Sequence, residues 1–248
     1  MKASELMSRI ENATVDGLIY GNGEKEIHRV AVCFIATASV IQEAIAWGAD
    51  LLVTHEPTFY NDAEQIPSFA EKKADLLAAS DLTIIRWHDA AHWGEADHIH
   101  LGFAKELGWK GHFTERCIFV FDHPTTPLAI AKEIEAKLGI HRVRISGSKD
   151  HPVYRAELCL GAPADDVTRL LAEEIDLTIR GEICEWRDLE AVRDAALLGE
   201  KKAALVLGHA GSEWSGMRQT AENLALSYPE LEVRYFHCGE VYTYTDQI

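Results

Sequence analysis

Cysteine is scarce in this chain, and its few copies do not form a pattern. The five cysteines lie far apart, no C-x-x-C occurs, and their number is odd: Cys33, Cys117, Cys159, Cys184 and Cys238. This usage favours buried thiols in a reducing compartment over a disulfide framework. It gives no support to a structural zinc site built on cysteine.

Positive charge and long apolar runs are also in short supply. The chain has 24 Lys and Arg against 40 Asp and Glu, a net charge of -16. Such a surface repels phosphate backbones, which argues against a broad nucleic-acid interface but leaves open a small anion held by local arginines. No apolar run reaches the length of a membrane span, and Met1–Glu5 does not begin a signal peptide. We therefore expect a cytoplasmic protein without a membrane partner.

What is present is the composition of a folded α/β protein. The 248 residues are 47% hydrophobic and 26% charged, enough for one large domain or two smaller ones. Residues 30–35 read as a strand, 39–47 as a helix closed by Gly48, and 51–54 as a second strand. This strand–helix–strand order predicts a parallel pair with a right-handed crossover.

The two halves of the chain resemble each other in outline, each containing a few such units. We predict two α/β lobes with mixed, largely parallel sheets flanked by helices. The first lobe is expected to span residues 1–115 and to be completed by 234–248. The second is expected to span 116–233.

Three apolar runs each end in a histidine with an acid close behind. The pairs are His55 with Glu56, His88 with Asp89, and His209 with Glu213. The carboxyl ends of parallel strands lie on one side of a sheet, where open α/β sheets bind ligands. Meeting at one edge, these pairs would supply the nitrogen and oxygen donors of a metal site.

Each pair also has a simpler interpretation. A lone strand-end pair such as His55 and Glu56 usually faces water, Asp89 alone would be a routine helix cap, and Glu213 alone is favoured by a helix dipole. Their repetition after three strands favours a site. His88 and His92, four apart around Asp89, are open to three roles: additional ligands, partners that orient ligands, or general acid–base groups.

Other polar residues are assigned more simply. Glu182 and Glu185 are candidates for lining the pocket, whereas Trp186 is expected to pack in the core. Three arginines could meet phosphates, although no phosphate loop is present: Arg86, Arg180 and Arg218. Six histidines are expected at the surface: His98, His100, His112, His123, His141 and His151.

Four stretches resemble the NIF-three-like family, also labelled dinuclear-metal-centre hexameric proteins and type-two GTP-cyclohydrolase-like proteins. "IQEAIAWGADLLVTHEP" is similar to its helix and strand leading to Thr-His-His-Pro, and "HDAAHWGEADHIHLGFAKELGW" to its Asp-containing loop and helix. "IDLTIRGEI" is similar to its Thr-Gly-Glu segment, and "GHAGSEWSGMRQTAENLA" to its Gly-His-x-x-x-Glu motif. Order and spacing hold over most of the chain.

The resemblance implies two divalent metals held between the lobes by His55, Asp89, His209 and Glu213. The family's second histidine falls on Glu56, a departure that adds negative charge, and Arg86-Trp87-His88 replaces its usual Thr-Asn-Leu. Ligands of mixed imidazole and carboxylate type, with no thiolate, suit iron, manganese, zinc, cobalt or nickel, and the sequence does not choose among them. The resemblance also implies a homohexamer.

Two classes of function follow. The first is a metal-dependent hydrolase, cyclohydrolase-like on a nucleotide or heterocycle, with ions about 3.5–4 Å apart sharing Asp89 or Glu213. The alternative is a non-catalytic metal-binding scaffold or regulatory interaction protein. An open coordination position distinguishes them, because an enzyme must leave room for water and substrate.

Overall fold

The structure is a computed structural model that describes residues 1–8, 15–59, 68–93, 97–163, 166–172 and 174–247. Within these ranges the strands are β1 Gly17–Tyr20, β2 Arg29–Cys33, β3 Leu51–Thr54, β4 Thr83–Arg86, β5 Gly111–Glu115, β6 Ile118–Thr125, β7 Arg144–Gly147, β8 Val153–Cys159, β9 Leu177–Arg180, β10 Ala203–Val206 and β11 Glu232–Tyr235. The helices are α1 Ala3–Met7, α2 Ala38–Trp47, α3 Ser68–Ala78, α4 Asp89–His92, α5 His98–Leu107, α6 Pro127–Leu138, α7 Thr168–Ala172, α8 Glu190–Leu197 and α9 His209–Ser227.

Helix ends follow the capping chemistry expected from the sequence. The Thr37 hydroxyl accepts a hydrogen bond from the Val40 amide at the start of α2, and Gly48 ends that helix with φ of 78°. In α6, Thr126 caps the start, Pro127 occupies the first turn and Gly139 ends the helix at φ 76°. These limits confirm the helix predicted at 39–47, and the second helix is the one that Thr126-Pro127 and Gly139 predict in the sequence. The sequence pattern also predicts helices at 3–12 and 165–174, which lie partly outside the described residues.

Two compact units divide the chain, and each has its own sheet. Unit 1 comprises Met1–His98 and Gly216–Gly239. Its sheet has the order β1-β4-β3-β2-β11, in which β1 alone runs antiparallel to its neighbour. Its core gathers side chains from β2, α2, β3 and β4, such as Ala31, Val40, Leu52 and Ile84.

Unit 2 comprises Ile99–Ser215 and Glu240–Ile248. Its sheet has the order β5-β6-β8-β9-β10-β7, with a parallel centre of β8, β9 and β10 and antiparallel flanks. Ile118, Leu170, Val192 and Ala204 contribute to its core. Together the two sheets confirm the predicted mixed α/β class.

The unit boundary differs from the division expected at residue 115. Helix α5 belongs almost entirely to unit 2, because Phe103 packs against Trp109 with ring centroids 5.6 Å apart, and Trp109 against Phe119 at 5.3 Å. The returning segment also differs from the expected 234–248. Unit 1 takes Gly216–Gly239, including β11, whereas the tail from Glu240 belongs to unit 2.

The three strand ends that carry the histidine–acid pairs do not share one sheet, which corrects the expectation of a common edge. Strands β3 and β4 are parallel neighbours in unit 1, whereas β10 lies in the sheet of unit 2. An apolar run predicts a buried strand but does not specify its partner. Within the described ranges, no helix combines the length and apolar character needed to cross a membrane.

Candidate metal centre

The ends of β3 and β4 bring two predicted ligands side by side in unit 1. Thr54 and Arg86 are partners in the parallel ladder, so His55 and His88 follow neighbouring positions. The backbone amides of His55 and Glu56 both donate to the Phe34 carbonyl, at 3.1 and 2.9 Å. This contact turns the chain out of the sheet just before Pro57.

Three imidazoles form a cluster in unit 1, which we call the histidine cluster: His55, His88 and His92. The ring centroids of His55 and His88 lie 4.4 Å apart, and each lies 5.1 Å from His92. One ring nitrogen from each residue falls within 4.8 Å of the others. His55 is fully buried, whereas His88 and His92 are partly exposed. This spacing suits three ligands of one ion.

The Nδ1 atom of every ring in the cluster faces its own acceptor. His55 Nδ1 lies 3.1 Å from the Trp87 carbonyl, His88 Nδ1 lies 2.8 Å from Asp89 Oδ1, and His92 Nδ1 lies 3.1 Å from Asp97 Oδ2. A hydrogen on each Nδ1 satisfies these acceptors and leaves Nε2 with its lone pair. Metal-binding histidines are oriented by such contacts, so the cluster fits a divalent ion.

The electrostatics of His88 favour the form that binds metal. Burial lowers its pKa, and the neighbouring His55 ring lowers it further, while the contact with Asp89 acts in the opposite direction. The neutral imidazole is therefore the preferred form at neutral pH. Only this form has a nitrogen lone pair to donate.

Asp16 and Asp97 are functional candidates that the sequence analysis did not identify. Asp16 Oδ1 accepts hydrogen bonds from the backbone amides of His88 and Asp89, at 2.6 and 3.0 Å, and its Oδ2 accepts one from Ala90 at 2.9 Å. It thereby fixes the start of α4. Asp97 is buried and orients His92. Asp16 stands 72 positions before His88, so no local signal connects them.

The carboxylates predicted as ligands in unit 1 are both engaged with neighbouring side chains. Asp89 is buried with Oδ1 on His88, which makes it an orienting partner as well as a ligand candidate. Glu56 lies 3.5 Å from Arg86 Nη2 and 3.6 Å from His88 Nε2. Arg86 Nε also donates to the His55 carbonyl at 3.0 Å. Arg86 therefore holds both the His55 backbone and the Glu56 side chain in position.

Unit 2 holds the remaining predicted ligands at the start of α9. His209 Nδ1 lies 3.0 Å from Glu182 Oε1, and its Nε2 lies 3.2 Å from Glu213 Oε2. Glu213 is buried, one helical turn beyond His209. Gly208, at φ 86°, makes the turn from β10 into the helix. This arrangement offers one nitrogen and one carboxylate donor.

Glycines hold the backbone close to Glu213. Gly161 has φ of 75°, and a Cβ atom there would lie 2.3 Å from Glu213 Oε1. A Cβ at Gly181 would lie 2.2 Å from the Gly161 carbonyl oxygen. The Ser212 hydroxyl accepts from the Gly161 amide at 2.9 Å and donates to the His209 carbonyl at 2.7 Å. Only glycine fits these corners.

Several simpler assignments need correction. Trp186 is 79% exposed and does not pack in the core. His100 and His151 are buried, and their rings contact the carbonyls of Arg116 and Asp176 at 3.0 Å each. Arg180 is buried beside Thr178 and Glu157, which removes it as a surface phosphate contact. The sequence around these residues does not show which of them are buried.

Two α/β sheets with histidine–acid pairs after their parallel strands define the class of protein. The chain belongs to the Duf34/NIF3 (NGG1p interacting factor 3) family, whose model matches residues 5–240. A GTP cyclohydrolase 1 type 2 homolog of Halobacterium salinarum is 24% identical over 222 residues, covering 84% of this chain and 83% of the relative.

Solved structures agree with this membership at the level of the fold. Protein ybgI, described as of unknown function, superposes with a TM-score of 0.79 at 22% identity, covering 97% of this chain and 99% of that one. A Bacillus cereus protein related to NIF3 gives 0.76 at 14% identity, covering 98% of both chains. At this level of identity the likeness shows the fold alone.

Proposed function

We propose that this protein binds a divalent transition metal at the histidine cluster and uses it in hydrolysis. One observation carries the proposal: all three rings have an Nδ1 acceptor, and their ring nitrogens converge within 4.8 Å. Three imidazoles oriented in this way resemble the protein ligand set of catalytic zinc sites. Structural surface histidines have no need of such matched acceptors.

The donor set favours some ions over others. Imidazole nitrogen suits zinc, iron, cobalt and nickel, whereas manganese prefers carboxylate oxygen. His55, His88 and His92 offer three nitrogens. We therefore rank manganese below the other four ions expected from the sequence.

The chain's own residues then position the reaction. A bound divalent ion would supply a Lewis acid that polarises the bond under attack and acidifies water. The Glu56 carboxylate, held 3.5 Å from Arg86 Nη2, is placed to accept the proton released by the attacking water. Asp89 and Asp97 hold the His88 and His92 rings, so that these ligands keep their orientation as charge develops.

The remaining part of the proposal draws on the family. The resemblance implies that Asp89, His209 and Glu213 are also metal ligands, and within unit 2 the last two offer donors 3.2 Å apart. The names of the curated relatives suggest a cyclohydrolase-like reaction on a nucleotide or heterocycle. The homohexamer and the cytoplasmic location stay predictions. Light scattering, which measures the mass of the assembly, tests the homohexamer.

A non-catalytic metal scaffold is the second candidate, favoured by the crowding of the histidine cluster. Glu56 Oε1 lies 3.6 Å from His88 Nε2, close enough to enter the same coordination shell. A shell closed by three imidazoles and Glu56 would leave no position for substrate. Cobalt substitution separates the two functions: added azide should shift the visible spectrum of an open site and leave a closed one unchanged.

Elemental analysis tests the metal site first, on protein purified without chelator or metal-affinity resin. We expect about two ions per chain in the unchanged protein. His92→Ala should remove at least one ion, because it deletes a cluster ligand. His209→Ala tests whether the metal content also depends on unit 2.

The matched control is His123→Ala, an exposed histidine on β6. It should keep the full metal content, and circular dichroism should show that all variants remain folded. If His92→Ala keeps the full metal content, the site assignment is wrong. A protein that takes up no metal on reconstitution would also remove the hydrolase proposal.

A further inference from the structure

We infer that unit 2 contains a second binding site, for a small planar anion of the aryl phosphate type. The site is a cleft of about 230 Å³ whose lining residues all belong to unit 2. Two arginines, two tyrosines and the end of one strand line it: Arg142, Arg144, Tyr242, Tyr244, Leu207 and Gly208.

The sheet topology builds one wall of the cleft. Strand β7 runs antiparallel to β10, and Arg144 is the partner of Val206. The residues just before β7 therefore lie beside those just after β10, which places Arg142 next to Leu207 and Gly208. Gly208 immediately precedes His209, so a ligand in the cleft lies beside the start of α9.

The tail after Glu240 lines the cleft through Tyr242 and Tyr244, and His141 anchors the tail. The His141 amide donates to both carboxylate oxygens of Glu240 at 3.2 Å. Its Nε2 lies 2.9 Å from Asp246 Oδ1, and its ring lies 4.7 Å from that of Tyr244. These contacts fix the tail at both ends and hold the Tyr244 ring in place.

The arginines supply the anion-binding chemistry. The side chains of Arg142 and Arg144 are 58% and 56% exposed. One guanidinium nitrogen of each forms an ion pair, Arg142 with Asp246 and Arg144 with Glu185. A guanidinium has five N–H donors, so each arginine keeps donors for a ligand. Its planar fork matches phosphate or carboxylate oxygens. On a chain of net charge -16, two arginines at one cleft make a local exception.

The tyrosines and the cleft size define the rest of the ligand. Tyr242 is 65% exposed, and its ring offers a face for stacking. Burial, aided by Glu240, raises the pKa of Tyr244, so its hydroxyl stays protonated and can donate. A volume of about 230 Å³ is below that of pockets for drug-sized molecules. One ring with one anionic group fits this space.

Isothermal titration of the full chain tests the site with three probes: phenyl phosphate, cyclohexyl phosphate and inorganic phosphate. The protein is first treated with chelator, so that a failure of the metal proposal cannot affect the result. We expect phenyl phosphate to bind about tenfold more tightly than cyclohexyl phosphate, since only a planar ring stacks on tyrosine. A role as substrate subsite rests on the proposed function, whereas binding itself does not.

Variants separate the two parts of the ligand. Arg144→Gln should weaken all three probes about tenfold, because it removes a charged fork while leaving the tail contacts of His141 in place. Tyr242→Ala should erase the preference for phenyl over cyclohexyl phosphate and leave inorganic phosphate binding unchanged. The matched control is Arg193→Gln, which replaces an arginine of α8 that is 61% exposed and pairs with Glu190.

The outcomes that overturn the inference are specific. Absence of phenyl phosphate binding at millimolar concentration removes the site, as does equal binding by the unchanged protein and Arg144→Gln. Equal affinity for phenyl and cyclohexyl phosphate would show that the site does not select a planar ring. A loss in Arg193→Gln as large as in Arg144→Gln would mean a diffuse charge effect and would also remove the site.

Discussion

The two units present histidine in opposite electrostatic settings. In unit 1, three imidazoles lie together, each with an acceptor at Nδ1. In unit 2, His209 lies between two carboxylates, Glu182 and Glu213. Three neutral imidazole nitrogens suit a borderline divalent ion such as zinc. We expect one imidazole and one carboxylate to bind the same ion more weakly, because they supply fewer ligands. Unit 1 therefore carries most of the affinity that we propose.

The units also differ in what holds these side chains in place. Unit 1 uses hydrogen bonds to carboxylates, those of Asp16 at the start of α4 and of Asp97 on His92. Elsewhere in unit 1, the ammonium of buried Lys73 donates to the Thr58 carbonyl. Unit 2 uses close backbone packing around Gly161 and Gly181. We therefore expect the site in unit 1 to respond to substitutions that remove a charge, and the site in unit 2 to respond to substitutions that add side-chain volume.

Gly161→Ala should have the largest effect, on the side of unit 2. The new methyl would overlap Glu213 Oε1 at 2.3 Å in a left-handed backbone with φ of 75°. We expect a loss of about 3–5 kcal/mol in the free energy of unfolding, since strain and overpacking add. Urea denaturation measures it.

Gly139→Ala is the matched control for volume. Gly139 has nearly the same φ, 76°, but a Cβ there meets nothing within 4 Å. It should cost about 1–2 kcal/mol, from backbone strain alone. Equal losses in the two variants would show that packing against Glu213 is not what requires glycine at 161.

Asp97→Asn should come next and should act on metal affinity in unit 1. The amide weakens the orientation of His92, so we expect metal affinity to fall about 10–100-fold, measured by competition with a chromophoric chelator. Glu182→Gln, the corresponding change in unit 2, should cost less because the Glu182 side chain is 59% exposed. A larger loss from Glu182→Gln would reverse the ranking of the two units.

Lys73 should give an effect that is visible only in alkaline solution. Burial lowers the pKa of Lys73 from 10.5 to about 8. Between about pH 8 and 10.5 the folded protein therefore binds fewer protons at this group than the unfolded chain, and its contribution to stability rises with pH. Below that window Lys73 is charged in both states and the full cost of burying its charge applies.

Lys73→Met should lack this alkaline rise. The test is the difference in unfolding free energy between the unchanged protein and the variant, measured from pH 7 to 10.5. The difference should change in favour of the unchanged protein above pH 8. A difference that stays constant with pH would mean that the lysine is not buried as a cation.

The sequence predicted the elements better than their partners. The helix ends at Gly48 and Gly139 and the strands before His55, His88 and His209 follow from local chemistry, namely capping, left-handed glycines and apolar runs. Which strands pair is a long-range matter. An apolar run such as Ala203–Val206 would fit either sheet. The sequence therefore could not show whether the strands before His55, His88 and His209 belong to one sheet or to two.

The site was predictable to the same degree. All candidate ligands come directly after strands or within one helical turn, and chain order was enough to find them. Asp16 was not predictable because its three amide partners lie in a segment more than 70 positions away. The exposure of Trp186 also escaped prediction, since composition alone assigns tryptophan to a core. The ligand assignments themselves stay predictions until metal is measured.

The late strand β11 has a consequence for how the protein is made. It pairs with β2 at the edge of the unit 1 sheet, although it is the last strand among the described residues. In the same part of the chain, the strands of unit 2 end by Val206. On a ribosome, which releases the amino end first, the unit that begins later can finish its sheet earlier, while β2 waits as an open edge for Glu232–Tyr235 to emerge.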